Sequence, residues 1–236
     1  MLSKRFFSSS IARQLNIADV KRLSVVGSGQ MGTGIAIVAA SKANLEKVTL
    51  LDANDAALKK SRIFVESWLN KEIKKDRLTT QDKETILGRM SFENTLEMAH
   101  DSNFVIEAVN ENFALKQKIF SALDKICPPS TILASNTSSI SITKIAATTT
   151  RPSQVIGMHY FNPVPVMKGV ELISALQTSE ETVKVTKDLC LLLGKEPVFC
   201  KDVPGFVANR VLMPWINEAI FCLYEGIATK EDIDKD

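Results

Sequence analysis

His159 and Glu171 are the residues with which this chain could do proton chemistry. They lie twelve positions apart in the segment GMHYFNPVPVMKGVELIS (residues 157–174), and His159 is one of 2 histidines in 236 residues. Near neutral pH an imidazole can take up and return a proton. A carboxylate on one ring nitrogen fixes the tautomer and stabilises the imidazolium, so the two read as an acid–base pair. The competing reading is a satisfied structural histidine, and the rest of the chain decides between them.

A second constellation supplies what a proton relay needs for redox chemistry. Gly27, Ser28, Gly29, Gln30, Met31 and Gly32 fit GxGxxG, after an apolar run at residues 23–27 and before an apolar stretch at 35–43. In that context the first glycine permits a tight turn and the second lets backbone approach a pyrophosphate. The third permits close helix–strand packing, and the helix N-terminus holds the negative charge. Asp52 ends the next strand signal 20 positions after Gly32, where an acidic side chain binds ribose hydroxyls. The same carboxylate would repel a 2′-phosphate, which favours NAD over NADP.

The elements that must position these residues alternate along the chain. Residues 23–27, 48–52, 104–107, 131–134, 155–158 and 170–174 read as strands. Between them, residues 113–126 repeat apolar side chains at helical spacing, at Phe113, Leu115, Ile119, Phe120, Leu123 and Ile126. Asn54 can cap the long segment after the second strand, and residues 59–88 read as a charged helical insertion. Strands alternating with helices predict βαβ units and a mostly parallel, doubly wound α/β sheet.

SNTSS (residues 135–139) reads as a Ser/Thr-rich turn capping residues 140–147. His100 reads as an exposed helix end, and Trp68 and Trp215 as packing residues. From residue 201 the character changes to a long apolar helix reaching about Tyr224, ended by Gly226. Thr229 with Asp232 resembles a capping box opening a further helix four residues before the last residue, so the C-terminal helical portion is expected to be incomplete.

Composition excludes several classes. A net charge of +2 gives no basis for nucleic-acid binding, and no apolar run has the length of a membrane span. The 4 cysteines form no CxxC pair, and with 2 histidines no metal site is expected. Residues 1–18 carry Lys4, Arg5, Arg13 and four serines with no acidic residue before Asp19. That is the composition of a mitochondrial transit peptide, which predicts the matrix as the destination.

With Gly27 to Gly32, SNTSS (135–139), HYFNPVPVMK (159–168) and PGFVANR (204–210) in this order and spacing, the chain from about Val20 to Asp236 resembles the L-3-hydroxyacyl-CoA dehydrogenases of fatty-acid β-oxidation, short- and medium-chain mitochondrial type. The resemblance implies a Rossmann-like NAD-binding domain over residues 19–202, with a helical insertion at about 54–88. It implies the start of an all-helical dimerisation and substrate domain over 203–236. His159 then matches the general base and Glu171 the carboxylate that orients it, while Ser138 and Asn209 match polar groups that hydrogen-bond the substrate. Asp52, Glu111, Lys116, Ser138 and Asn162 match NAD contacts. Ser67, Lys74 and Ser138 match contacts to an acyl-CoA, which would make the charged insertion a cationic flap for a polyphosphate tail. The family forms homodimers. Two other readings stay open: a non-catalytic NAD-binding or interaction module, and a dehydrogenase of a free 3-hydroxy acid.

Overall fold

Short runs of branched apolar residues build one sheet, and the helical segments between them cover its two faces. The structure, a computed structural model, describes residues 16–235. Residues 1–15 of the expected leader lie outside the described residues. Asn16 caps a single 3-10 turn, Ile17–Asp19, that leads into the first strand.

In chain order the elements are β1 (Arg22–Val26), α1 (Gln30–Lys42), β2 (Lys47–Leu51), α2 (Asp55–Lys74), α3 (Thr80–Arg89), β3 (Met90–Glu93), β4 (Phe104–Glu107) and α4 (Phe113–Ile126). There follow β5 (Ile132–Ser135), α5 (Ile142–Ala146), β6 (Val155–Tyr160), β7 (Gly169–Ser174), α6 (Glu180–Leu192), β8 (Glu196–Lys201), α7 (Ala208–Tyr224) and α8 (Lys230–Ile233). The strands form one sheet in the order β3-β2-β1-β4-β5-β6-β7-β8. The strand order reverses at β1, whose two neighbours are β2 and β4. In such a sheet ligands bind outside the carboxyl ends of the strands at that reversal.

Every residue of β4, β5 and β6 is buried, as expected of strands covered on both faces. All the strand pairings are parallel except β6 with β7, which run antiparallel and set His159 directly opposite Glu171. Residues directly opposite each other in a ladder project to the same side, so both side chains lie on one face of the sheet.

Two strands went unforeseen, β3 and β8. Both lie at sheet edges: β3 alternates Met90 and Phe92 with Ser91 and Glu93, and β8, though it carries Val198, Phe199 and Cys200 in succession after Pro197, is largely exposed. The expected insertion is two helices, α2 capped by Asn54 through the Ala56 and Ala57 N–H groups, and α3 opened by a Thr79–Asp82 capping box. Ser141 caps α5, and Thr229 caps α8.

Three expectations need correcting. On α4 the buried face is Lys116, Ile119, Phe120 and Leu123, whereas Phe113 and Leu115 are exposed. Trp215 is 67% exposed and packs on no core, unlike Trp68. The apolar helix expected from residue 201 begins only at Ala208, because residues up to Lys201 complete β8 and a turn intervenes. No residue of α7 is buried, although its sequence is largely apolar. Among the described residues, no helix is long and apolar enough to cross a membrane.

Candidate active site

The glycines after β1 make a backbone cradle that side chains would fill. A Cβ on Gly32 would lie 1.8 Å from the Gly27 carbonyl oxygen, and one on Gly27 would lie 2.6 Å from the Ala108 carbonyl oxygen. Gly27 also has φ +104°, which L side chains avoid. The turn delivers the chain into α1, nine of whose residues from Gly32 to Ala40 are buried, so its N-terminus is fixed at the sheet's carboxyl edge.

A cavity of about 590 Å³ opens over this turn, lined by Gly27, Gly29, Asp52, Asn54, Val109 and Leu115 among others. Asp52 Oδ2 accepts from the backbone N–H and the hydroxyl of Ser28, both at 2.8 Å, and its Oδ1 accepts from the Asn54 N–H at 2.9 Å. Three donors leave the carboxylate with acceptor capacity for a ribose hydroxyl. The cradle, the helix N-terminus and this carboxylate together fit NAD.

A second cavity of about 340 Å³ adjoins the first, and Ala108 and Val109 line both. His159, Ser138, Glu111, Asn162 and Met31 also line it. His159 Nδ1 lies 2.7 Å from Glu171 Oε2, with the histidine 8% and the glutamate 2% exposed. Nε2 is therefore the ring nitrogen left to meet a ligand. The rings of Phe161 and Phe206 flank the imidazole at 4.8 and 6.0 Å between centroids. Glu171 Oε1 accepts from the backbone N–H groups of Val207 at 2.9 Å and Ala208 at 2.8 Å.

The serine turn is held from beneath by Glu111. Its Oε1 accepts from the Thr137 hydroxyl at 2.5 Å and the Ser138 N–H at 2.8 Å. The hydroxyls of Ser138 and Ser139 and the Ser139 N–H each add a bond at 3.1 Å. Partial burial pushes this carboxyl up, but the Thr137 bond, the Lys116 charge and the Ser138 N–H outweigh it and hold it below the ordinary range. Asn209 Nδ2 donates to the Ser138 carbonyl at 3.2 Å, tying α7 to the same turn. Gln30 Nε2 donates to Asn162 Oδ1 at 3.0 Å, tying α1 to the loop after His159.

Thus His159, Glu171, Ser138, Asn209, Glu111, Asn162, Gln30 and Met31 converge from six separate stretches of chain. Lys116 belongs to the support. Its ammonium, 1% exposed, lies 2.6 Å from Glu107 and 3.3 Å from Glu111, and it lines neither cavity. Ser67 and Lys74 are exposed on α2 and line neither cavity.

Several supporting residues escaped the sequence reading. Asn136 Oδ1 accepts the Tyr160 N–H at 2.8 Å, beside His159. Lys195 donates to the carbonyls of Val164 and Met167, pinning the loop between β6 and β7. Asp202 accepts from the Ser141 hydroxyl and the Ile142 and Thr143 N–H groups, holding the start of α5. These bonds span 24 to 61 positions, so no local pattern announces them. Lys116 did leave a signal, since it falls in the helical register of Ile119, Phe120 and Leu123.

Residues 22–203 match the 3-hydroxyacyl-CoA dehydrogenase NAD binding domain, and residues 205–235 match the 3-hydroxyacyl-CoA dehydrogenase C-terminal domain. A probable 3-hydroxybutyryl-CoA dehydrogenase of Bacillus subtilis is 48% identical over 217 residues, covering 92% of this chain and 75% of its own. The human mitochondrial hydroxyacyl-coenzyme A dehydrogenase is 43% identical over 233 residues, covering 96% of this chain and 74% of its own. The crystal structure of (S)-3-hydroxybutyryl-CoA dehydrogenase from Ralstonia eutropha superposes with a TM-score of 0.87 at 46% identity, over 90% of this chain and 75% of that one.

Proposed function

The chain belongs to the NAD-dependent 3-hydroxyacyl-CoA dehydrogenase family, and we propose that it oxidises L-3-hydroxyacyl-CoA to 3-ketoacyl-CoA with His159 as general base and Glu171 as its orienting carboxylate. The observation that carries this reading is the 2.7 Å His159–Glu171 contact, in a cavity that shares Ala108 and Val109 with the dinucleotide cradle.

NAD, when bound, supplies the acceptor for the hydride that leaves C3 of the substrate. As that C–H bond breaks, His159 Nε2 takes the hydroxyl proton and the C3–O bond becomes a carbonyl. Glu171 accepts from Nδ1–H, which keeps Nε2 unprotonated and ready, and it stabilises the imidazolium once the proton has moved. Ser138 and Asn209 hold the hydroxyacyl group, and Asn162 and Glu111 border the nicotinamide end. Fixing the reacting carbon in this way contributes part of the roughly 7–11 kcal/mol available from positioning. Asp52 holds the adenosine ribose and disfavours a 2′-phosphate. Ser67 and Lys74, exposed on α2, receive the CoA polyphosphate.

The composition of residues 1–18, with the mitochondrial relatives, supports work in the matrix as a step of fatty-acid β-oxidation. Residues 19–202 then form the cofactor domain, and residues 203–236 the start of a dimerisation and substrate domain.

NADH oxidation with acetoacetyl-CoA, beside acetoacetate, tests the reading. Turnover of the thioester at least about a hundredfold above the free acid supports it, given how strongly remote binding contributes to kcat. The exposed apolar faces of α7 support a second reading, a module that binds NAD without turnover. NADH binding with no thioester-dependent oxidation would favour that one.

A further inference from the structure

We infer that the turn at Gly205 and Phe206 is a positioning element for the His159–Glu171 pair. This inference rests on the reading of His159 as the base. Two successive residues in the turn hold positive φ, Gly205 at +82° and Phe206 at 48°. For phenylalanine that conformation costs about 1–2 kcal/mol, so the surrounding structure must enforce it.

The turn determines what Glu171 can reach. It starts α7 with Val207 as N-cap, a residue whose side chain makes no capping bond. The N–H groups of Val207 and Ala208 point instead to Oε1 of Glu171, 36 and 37 positions away on β7. An acidic group placed there satisfies donors that a helix start leaves open. Glu171 therefore caps α7 with one oxygen and orients His159 with the other.

The attachment of α7 is narrow. No residue of the helix is buried, so the turn and the Asn209 bond to the Ser138 carbonyl hold its start. Phe206 itself is buried with Ile142 and Ile173, and its ring lies against the imidazole. The backbone path through Gly205 and Phe206 thus sets where Oε1 is held, and hence where Oε2 meets Nδ1. Gly205 is required because a Cβ there would lie 3.0 Å from the Arg210 backbone nitrogen, at a φ that L residues avoid.

Three variants test this. Gly205→Ala strains the turn and keeps the Phe206 ring. It should lower kcat for acetoacetyl-CoA reduction by at least about tenfold, with the KM for acetoacetyl-CoA and the Kd for NADH changed by less than about twofold. Phe206→Gly and Phe206→Val both remove the ring. Glycine accepts positive φ and valine resists it, so Phe206→Gly should keep the higher kcat; a role in packing alone gives the opposite order.

Imidazole NMR supplies a readout independent of turnover. The hydrogen-bonded Nδ1 proton of His159, identified by its loss in His159→Gln, should be present in the parent and lost or displaced in Gly205→Ala. Unchanged kcat with an unchanged resonance in Gly205→Ala, or a higher kcat in Phe206→Val than in Phe206→Gly, overturns the inference. Parent-like turnover in His159→Gln would instead remove the base reading, and the resonance would still report on the turn.

Discussion

Glu171 stands directly across the β6–β7 ladder from His159, its Oε2 2.7 Å from Nδ1. That placement makes the carboxylate the residue that decides which imidazole nitrogen carries the proton. In Glu171→Gln the amide can donate to Nδ1, which drives the proton to Nε2 and blocks it as a base. The expected result is a fall in kcat of about 10²–10⁴-fold, the contribution of a general base disabled by the wrong tautomer. NADH titration should show a Kd near that of the parent. A variant with near-parental kcat would separate Glu171 from the chemistry.

The role proposed for Asp52 is to set cofactor choice through charge. Ser28 and Asn54 fix the carboxylate at the end of β2, where a 2′-phosphate would meet it. The parent should prefer NAD over NADP by at least about tenfold in kcat/KM, and Asp52→Ser should narrow that ratio. Equal use of both cofactors by the parent would remove this assignment.

Lys116 separates a structural role from a cofactor contact. Glu107, its partner at 2.6 Å, is 0% exposed and also accepts from the Ser135 hydroxyl. Removing the ammonium leaves a buried carboxylate without its counter-charge, which costs about 3–5 kcal/mol. Urea denaturation of Lys116→Met should show that loss, whereas the exposed Lys118 as Met should change stability by about 0.5 kcal/mol or less. Weaker NADH binding at unchanged stability would return Lys116 to the cofactor.

Much of this site could be read from residue order, because its defining groups obey local rules. Gly27, Gly29, Gly32 and Asp52 sit at spacings that strand, turn and helix geometry impose. His159 and Glu171 could be paired by type, an imidazole and a carboxylate twelve positions apart, but the β6–β7 register that sets them face to face shows only in the sheet. The groups that hold these residues in place were not legible. Glu111 reaches Thr137 and Ser138 across 26 and 27 positions, and Asp202 reaches Ser141 across 61. Such bonds exist only once the parallel sheet has brought the carboxyl ends of its strands together. Edge strands β3 and β8 were missed for local reasons: β3 is four residues with Ser91 and Glu93 between and after its apolar pair, and Pro197 demotes the short Val198–Cys200 run as a strand signal.

Acid should loosen the site's support, which is complete at neutral pH. Burial raises the Asp202 carboxyl, but the bonds from the Ser141 hydroxyl and from the Thr143 and Ile142 N–H groups outweigh it and hold it below the ordinary 3.8. A carboxyl depressed in the folded state contributes stability that is full above the unfolded value and lost as pH falls through the folded one. Stability should therefore decline as pH drops from about 5 to below 3.8. Asp202→Asn should be less stable at pH 7 and show a shallower acid slope in thermal melts across that range. An identical slope in both proteins would assign the acid loss to other carboxylates.

The central claim is that His159 moves the proton in NAD-dependent hydroxyacyl-CoA oxidation. Steady-state kinetics of His159→Gln beside the parent, with 3-hydroxybutyryl-CoA and NAD, tests it most directly. The account predicts a kcat about 10²–10⁴-fold lower, the contribution of a general base, with NADH binding retained. Near-full turnover by His159→Gln would contradict it.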